Sequence, residues 1–248
     1  MKLSIITINR NNASGLEKTL KSVASQTCKD FEHIIVDGAS TDDSVEVIKH
    51  YVESTNNPSP DTHHHQIKWI SEPDKGIYNA MNKGVNHAKG EYLLFLNSGD
   101  ELCDKNVLSQ VFRVDRQGDI LYGDILICDD EKVIERRRYD DRLSFNYLMR
   151  LSIGHPSSFI RAELLQEVPY NENYKIVSDK EFFIGQALRG ASFVHIPCFI
   201  SRFHTDGISS ADPDAVARED TDMINAVVPE CIRLDYNSLN LSDLLLKK

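Results

Sequence analysis

At 248 residues, 41% of them hydrophobic and 27% charged, the chain is long enough for one large domain, or two halves sharing a sheet, with a core that needs no staples. A formal net charge of −10 argues against a nucleic-acid polymer as partner, and an acidic protein that handles an anionic substrate needs a local cation, which points towards a metal. The five cysteines, Cys28, Cys103, Cys128, Cys198 and Cys231, show no CxxC or metal-finger spacing and read as free thiols of a reducing cytoplasm.

From the N-terminus, residues 3–8 are a β-branched run suited to a buried strand, and too short for a signal-peptide core or a membrane span. Ser14 then offers a helix N-cap, with Leu16, Leu20, Val23 and Ala24 at helical spacing. Residues 31–36 are a second strand, and Val45, Val47, Ile48 and Tyr51 mark a second, shorter helix. The stretch 54–66, with Pro58, Pro60 and His63-His64-His65, reads as a solvated surface loop, because adjacent histidines on a regular element cannot all face one ion. Residues 67–70 are a third strand. A helical stripe of Ile77, Ala80, Met81, Gly84, Val85 and Ala88 follows, with Gly90 as its C-cap, and 92–96 is a fourth strand. Strands that are apolar throughout, with helices between them, imply a parallel sheet covered on both faces.

The second half is less regular. Segments 120–128 and 132–138 read as strands around an acidic turn at Asp129-Asp130, 143–151 and 179–188 as helices, and 193–203 as a strand. Segments 214–228 and 238–248 read as tail helices. No apolar run reaches the length of a membrane span, so any membrane contact is expected to be peripheral.

In an open parallel sheet, ligands sit beyond the carboxyl ends of the strands. Thr7 and Asn9 end the first strand, and Asp37 the second, within VDGASTDDS. Glu72 and Asp74 follow the third, within SEPDKGIYNAMNKG, and Asn97, Ser98 and Asp100 follow the fourth, within FLNSGD. Each set alone suits turn or cap chemistry: Asp37-Gly38 makes a good turn, and Asp42 or Asp104 a good helix cap. Four sets converging on one sheet edge describe a site instead. No GxGxxG or GxxxxGK[ST] occurs, which disfavours a dinucleotide-dependent oxidoreductase and P-loop binding. A carboxylate-rich edge suits a hard divalent cation that carries a diphosphate and stabilises it as it leaves.

The strings SIITINRNNASGLEKTLKSVASQT, VDGASTDDS, EPDKGIYNAMNKGVNHAKGEYLLFLNSGD and VSDKEFF resemble the family-2 glycosyltransferases, most of all the bacterial branch that builds capsules, exopolysaccharides and O-antigens. The match is dense over roughly the first 110 residues and patchy beyond, where acceptor specificity diverges. The resemblance implies a GT-A fold, an α/β architecture whose single, mostly parallel central sheet is flanked by helices and joined to a smaller mixed region on the acceptor side. It implies a glycosyltransferase domain over 1–210, with 1–103 for the nucleotide sugar and 104–210 for the acceptor, and a helical tail over 211–248. The implied reaction is an inverting hexosyl or N-acetylhexosaminyl transfer from a nucleoside-diphosphate sugar to a hydroxyl of a glycan or lipid-linked glycan. The implied cofactor is Mn²⁺ or Mg²⁺.

Carried over by position, Thr7 and Asn9 lie against the nucleotide, Asp37 takes the base or ribose, and Asp74 and Lys75 flank the nucleoside. Asn97-Ser98-Gly99-Asp100 stands in place of the family's DxD-type motif. Asn97 and Gly99 replace the two usual aspartates, leaving Asp100 to hold a metal together with diphosphate oxygens and waters. Asp179 falls at the position of the catalytic base, with Glu181 as fallback; apart from the resemblance, Asp179 or Ser178 reads as a helix N-cap. His155, Arg202 and His204 align with polar positions near acceptor and diphosphate, and His204 is the second candidate metal ligand.

Arg136, Arg137, Arg138, Arg142 and Arg150, close to Leu143, Phe145 and Tyr147, suit anionic headgroups or an acceptor pyrophosphate. With Glu135, Asp140 and Asp141 interleaved, the favoured reading is a solvated strand edge with local ion pairs. The competing reading of the whole chain is a catalytically silent nucleotide-sugar-binding partner subunit, favoured by the missing DxD aspartates and opposed by Asp100 and Asp179. The expected setting is the cytoplasm, at the inner face of the membrane where the acceptor is lipid-linked, and a homo-oligomer is left open.

Overall fold

The computed structural model describes residues 1–56, 65–113, 116–129, 132–205 and 212–246. Its first half alternates β1 (Leu3–Asn9), α1 (Ala13–Ala24), β2 (Phe31–Asp37), α2 (Ser44–Asn56), β3 (Gln66–Ser71), α3 (Ile77–His87) and β4 (Tyr92–Phe95). There follow β5 (Glu101–Leu102), α4 (Val107–Phe112), β6 (Ile120–Asp129), β7 (Lys132–Arg137) and α5 (Phe145–Arg150). A short 3-10 turn (His155–Ser157) leads into β8 (Ser158–Arg161) and α6 (Ala162–Glu167), then α7 (Ser178–Leu188) and β9 (Phe193–His204). The chain closes with α8 (Pro213–Val227) and α9 (Glu230–Leu246).

Among the described residues nine strands form one sheet, ordered β3-β2-β1-β4-β8-β6-β9-β5, with β7 paired to β6. β1 is parallel to β2 and β4, and β2 to β3, so the half of the sheet built from the first four strands is wholly parallel. The other half is mixed: β8 runs antiparallel to β4 and β6, β9 runs parallel to β6, and β5 returns antiparallel to β9. Because β8 sits between β4 and β6, the two halves share one sheet.

Both faces of the sheet are buried, and the apolar runs follow from that. Leu3 and Ile5 face Val23 of α1 and Val107, Leu108 and Val111 of α4. Ile6 and Ile8 face the other way, onto Met81 and Val85 of α3 and a core shared with α5, α6 and α7. A Cβ at Gly84 would strike Ile6, so the close approach of α3 to β1 depends on that glycine.

Several expectations from sequence are corrected. Asn12, and not Ser14, caps α1, its side chain accepting from the Gly15 amide at 3.0 Å; the helix begins at Ala13, so Ser14 lies inside the first turn. Gly90 is not the C-cap of α3, which ends at His87 with Ala88 already extended. Gly90 instead lets the chain press against β1, its amide donating to Ser4 Oγ at 2.8 Å. The last helix begins at Glu230, just after Pro229, and not at residue 238.

The solvated loop also fails at its end. α2 runs to Asn56, and His65 is buried, stacked on Phe31 at 4.5 Å and paired with the Tyr51 hydroxyl at 2.8 Å. The buried Tyr51 and His33 need polar partners, and His65 completes their chain. Pro58, Pro60, His63, His64 and Asp130 lie outside the described residues.

Candidate active site

The C-terminal ends of β1, β2 and β4 share one sheet edge, above which opens a cavity of about 1020 Å³, the scale of a small-molecule site. Asn9, Asp74, Asn97, Ser98 and Asp100 line it from the half of the chain that carries β1 to β4, and His155, Asp179 and His204 from the other. Gly76 and Gly99, both at positive φ, 131° and 107°, turn the loops after β3 and β4 at its rim.

Thr7, Asp37 and Lys75 do not line the cavity. Thr7 is wholly buried and donates to Leu96 O at 2.8 Å, while its oxygen meets His33 Nε2 at 2.9 Å. With that proton spent, Nε2 of His33 must donate, so its Nδ1 accepts from Tyr51, whose oxygen accepts from His65 Nε2. Burial and the neighbouring His65 hold His33 well below the usual histidine range, consistent with a neutral ring.

Asp37 lies under the floor. One oxygen accepts from Asn9 at 2.9 Å and from Ser40 Oγ, the other from Ser71 Oγ at 2.6 Å and the Ser40 amide at 3.0 Å. Burial pushes this carboxyl up, but its hydrogen bonds outweigh that and leave it below the ordinary range. Asn9, fixed by Asp37, keeps Oδ1 buried without a hydrogen-bond partner at the cavity wall. Asp74 accepts from the Gly76 amide at 3.0 Å and faces Arg10 at 3.7 Å, whereas Lys75 is exposed.

Asp179 is the most elaborately held group. Its Oδ1 accepts from the Lys180 amide at 2.9 Å and faces the Tyr78 hydroxyl at 3.1 Å; its Oδ2 meets His155 Nδ1 at 3.0 Å. The structure does not make it the N-cap of α7, since Val177 holds that place without a side-chain cap and Ser178 Oγ accepts from the Asn171 amide. His155 continues the chain, its Nε2 standing 3.1 Å from Asn97 Nδ2. Burial lowers the affinity of His155 for a proton, but the hydrogen bond and charge of Asp179, with the charge of Asp100, raise it above the ordinary range. With the amide nitrogen towards His155, Asn97 Oδ1 is buried and unpaired; the opposite amide orientation gives it the Nε2–H of an imidazolium.

Helix α3 positions this cluster across some hundred residues of chain. Tyr78 donates to Ile176 O at 2.5 Å, and Asn82 both donates to Tyr170 O and accepts from the Tyr170 amide. Tyr78 escaped the sequence reading because it lies beside the apolar stripe of the helix, where an aromatic reads as core. Glu181 is turned to Asn171 and does not line the cavity; burial raises its carboxyl.

For a divalent metal, the donor set is partial. His204 is 9% exposed, and its Nε2 lacks a hydrogen-bond partner while standing 3.4 Å from Glu101 Oε1, beside Asp100 in sequence. An unsatisfied imidazole nitrogen in the same cavity as a carboxylate fits a metal-binding role. Among the described residues no group of three His, Cys, Asp or Glu side chains could hold an ion by itself. A bound ion would therefore draw its remaining ligands from the diphosphate and water. Arg202 lies outside the cavity lining, on β9 opposite Glu101.

A family model described as glycosyl transferase family 2 matches residues 4–171. The chain belongs to glycosyltransferase family 2. An uncharacterised glycosyltransferase of Mycobacterium tuberculosis is 32% identical over 224 residues, 86% of this chain and 79% of that one. A PGL/p-HBAD biosynthesis glycosyltransferase of Mycobacterium bovis is 32% identical over 185 residues, 73% and 68% of the two chains. Among solved structures, residues 1–349 of S. aureus TarS with UDP-GlcNAc match with a TM-score of 0.68 at 20% identity, covering 93% of this chain and 68% of that one. This chain spans 41% of the longer TarS chain. The mannosyltransferase PcManGT from Pyrobaculum calidifontis, with GDP-Man and Mn²⁺, matches at 0.59 and 15% identity over 99% of this chain and 80% of that one. The fold is GT-A-like, and the protein is a transferase enzyme.

In this glycosyltransferase the arginine cluster divides. Arg137 and Arg150 line the cavity, Arg137 held by Glu135 through two bonds of 2.7 and 3.0 Å. Arg136 and Arg138 instead lie over the Phe199 ring, at 6.0 and 5.4 Å. All five cysteines are free, and among the described residues no helix is long and apolar enough to cross a membrane.

Proposed function

We propose that the enzyme transfers a sugar, with inversion, from a nucleoside-diphosphate donor to a hydroxyl of a glycan or lipid-linked glycan in bacterial surface polysaccharide synthesis. The arrangement of Asp179 carries this reading. Its Oδ1 accepts from the Lys180 amide and is crowded by the Tyr78 hydroxyl, whereas Oδ2 carries only the bond to His155 and keeps a lone pair for a substrate. The acceptor oxygen attacks the anomeric carbon from the face opposite the diphosphate, and its proton passes to Asp179 Oδ2. The bond from the anomeric carbon to the diphosphate oxygen breaks, and the diphosphate leaves with the electron pair.

Asn9, Asp74, Asn97 and Ser98 contact the donor in this reading, with Lys75 at the exposed rim. Thr7 and Asp37 support it from beneath, Asp37 through Asn9 and Thr7 through the carbonyl of Leu96. Asp100 and His204 are the side chains that would hold Mn²⁺ or Mg²⁺, which when bound neutralises charge on the diphosphate. The donor-bound neighbours support the donor class: TarS was solved with UDP-GlcNAc and PcManGT with GDP-Man and Mn²⁺. The deciding experiment follows release of nucleoside diphosphate from UDP-GlcNAc and GDP-mannose in MnCl₂. Release that Asp179→Asn abolishes while nucleotide binding persists supports the reading; wild-type protein that binds neither nucleotide overturns it.

A further inference from the structure

Helix α8 reaches back to the segment that carries Asp179. Glu219, on α8, accepts the backbone N–H groups of Lys175 at 2.7 Å, Ile176 at 2.7 Å and Val177 at 3.2 Å. These three residues lead directly into α7, so an anionic side chain lies at the positive end of that helix and makes charge-assisted bonds there. The backbone of Ile176 is thereby gripped on both sides, by Glu219 at its N–H and by Tyr78 at its carbonyl. The next residue, Asp220, accepts from Lys180 Nζ at 2.6 Å, one residue beyond Asp179. Val216, Ala217 and Asp220 of the same helix line the cavity.

We propose that Glu219 is a positioning residue for the transfer reaction: by gathering the amides of residues 175–177 it fixes the first turn of α7 and aims Asp179 Oδ2 at the acceptor. This rests on the reading of Asp179 as base. The geometry explains why one carboxylate is placed against three consecutive amides while its neighbour takes Lys180. A helix that only covered apolar surface would need neither contact. The clamp also makes α8 a wall of the acceptor side, so its attachment and the orientation of the base are one structural variable.

Three full-length variants, Glu219→Ala, Glu219→Gln and Asp179→Asn, are compared with wild type by two measurements that need no turnover. Hydrogen exchange at residues 175–177 reads the clamp, and the low-field imidazole proton of His155, identified by its loss in His155→Gln, reads the bond to Asp179. Glu219→Ala should raise exchange at those amides by about tenfold or more and erase or broaden the His155 proton. Glu219→Gln, of equal size but neutral, should fall between. Binding of UDP or GDP with Mn²⁺ should stay at the wild-type level, while donor turnover drops between about 10- and 100-fold, the cost of a misaimed group.

Wild-type exchange and an unshifted His155 proton in Glu219→Ala would overturn the proposal. If that variant does not fold, the same result in Glu219→Gln overturns it. Normal turnover in a variant whose three amides exchange freely also overturns it. Wild-type protein that binds no nucleotide, with the His155 proton still lost in Glu219→Ala, sinks the glycosyl-transfer reading and leaves Glu219 as what orients Asp179.

Discussion

On the side of the cavity where the proposed donor binds, the donor side, each polar group stands at the end of a strand or a few residues beyond it, and parallel pairing alone brings Asn9, Asp37 and Ser71 side by side. On the side proposed for the acceptor no such rule operates. Asp179, His155 and Tyr78 come from a helix start, a 3-10 turn and a helix on the far side of the sequence, and tertiary packing with side-chain contacts brings them together. The donor side is thus rigid by topology and the acceptor side by side-chain contacts.

The sharpest test of whether these two sides are one folding unit is Ile6→Ala. Ile6 is fully buried beneath Gly84, and its truncation should cost about 2–5 kcal/mol. Because β8 locks β4 to β6, urea unfolding should stay a single transition shifted to lower concentration. Two separated transitions would break the picture of a shared sheet.

Next in size is Asp179→Asn, which keeps shape but removes the basic carboxylate. Turnover should fall by on the order of 10²-fold or more, with melting temperature and nucleotide affinity retained. Normal turnover in the Asn variant would take Asp179 out of the mechanism.

Asp100→Ala probes the donor side. It should weaken nucleoside-diphosphate binding about tenfold in Mn²⁺ and change little in EDTA, because a carboxylate's contribution to a shared metal site vanishes with the metal. Calorimetry in the two buffers decides, and equal affinities throughout would remove the metal role.

The mildest effect concerns the buried chain Thr7–His33–Tyr51–His65 under the donor side. His33 is depressed in the fold, so as pH falls below its ordinary value of about 6.5 the unfolded chain takes up the proton first and stability declines. His33→Gln, which cannot titrate, should lose less stability between pH 7.5 and 5.5 than wild type does. Urea midpoints at the two values measure it, and parallel losses would show that His33 is not the titrating group.

Much of the donor side was legible because its signals are local. Apolar runs separated by helical stripes announce a parallel sheet, and a parallel sheet announces that the residues after its strands converge, as Asn9, Asp74, Asn97 and Asp100 do. Asp179 was legible only through resemblance, since a lone aspartate at a helix start has the same local signature as a cap. The short elements β5, β8 and α6, of two, four and six residues, escaped the sequence reading because each carries little period of its own.

The sequence by itself determined the sheet type, the donor edge and the family, because these depend on hydrophobic period and on motifs contiguous in the chain. Tertiary structure alone decided which polar groups face the cavity and which support it. Thr7 and Asp37 lie beneath the floor, His65 is buried against Phe31, and Arg137 faces the site while Arg136 stacks away from it. It also decided that Tyr78, His155 and Glu219 converge on the segment bearing Asp179. Those contacts span tens to a hundred residues, and their partners are fixed by the packing of helices α3, α7 and α8 around a common sheet, which no local pattern encodes.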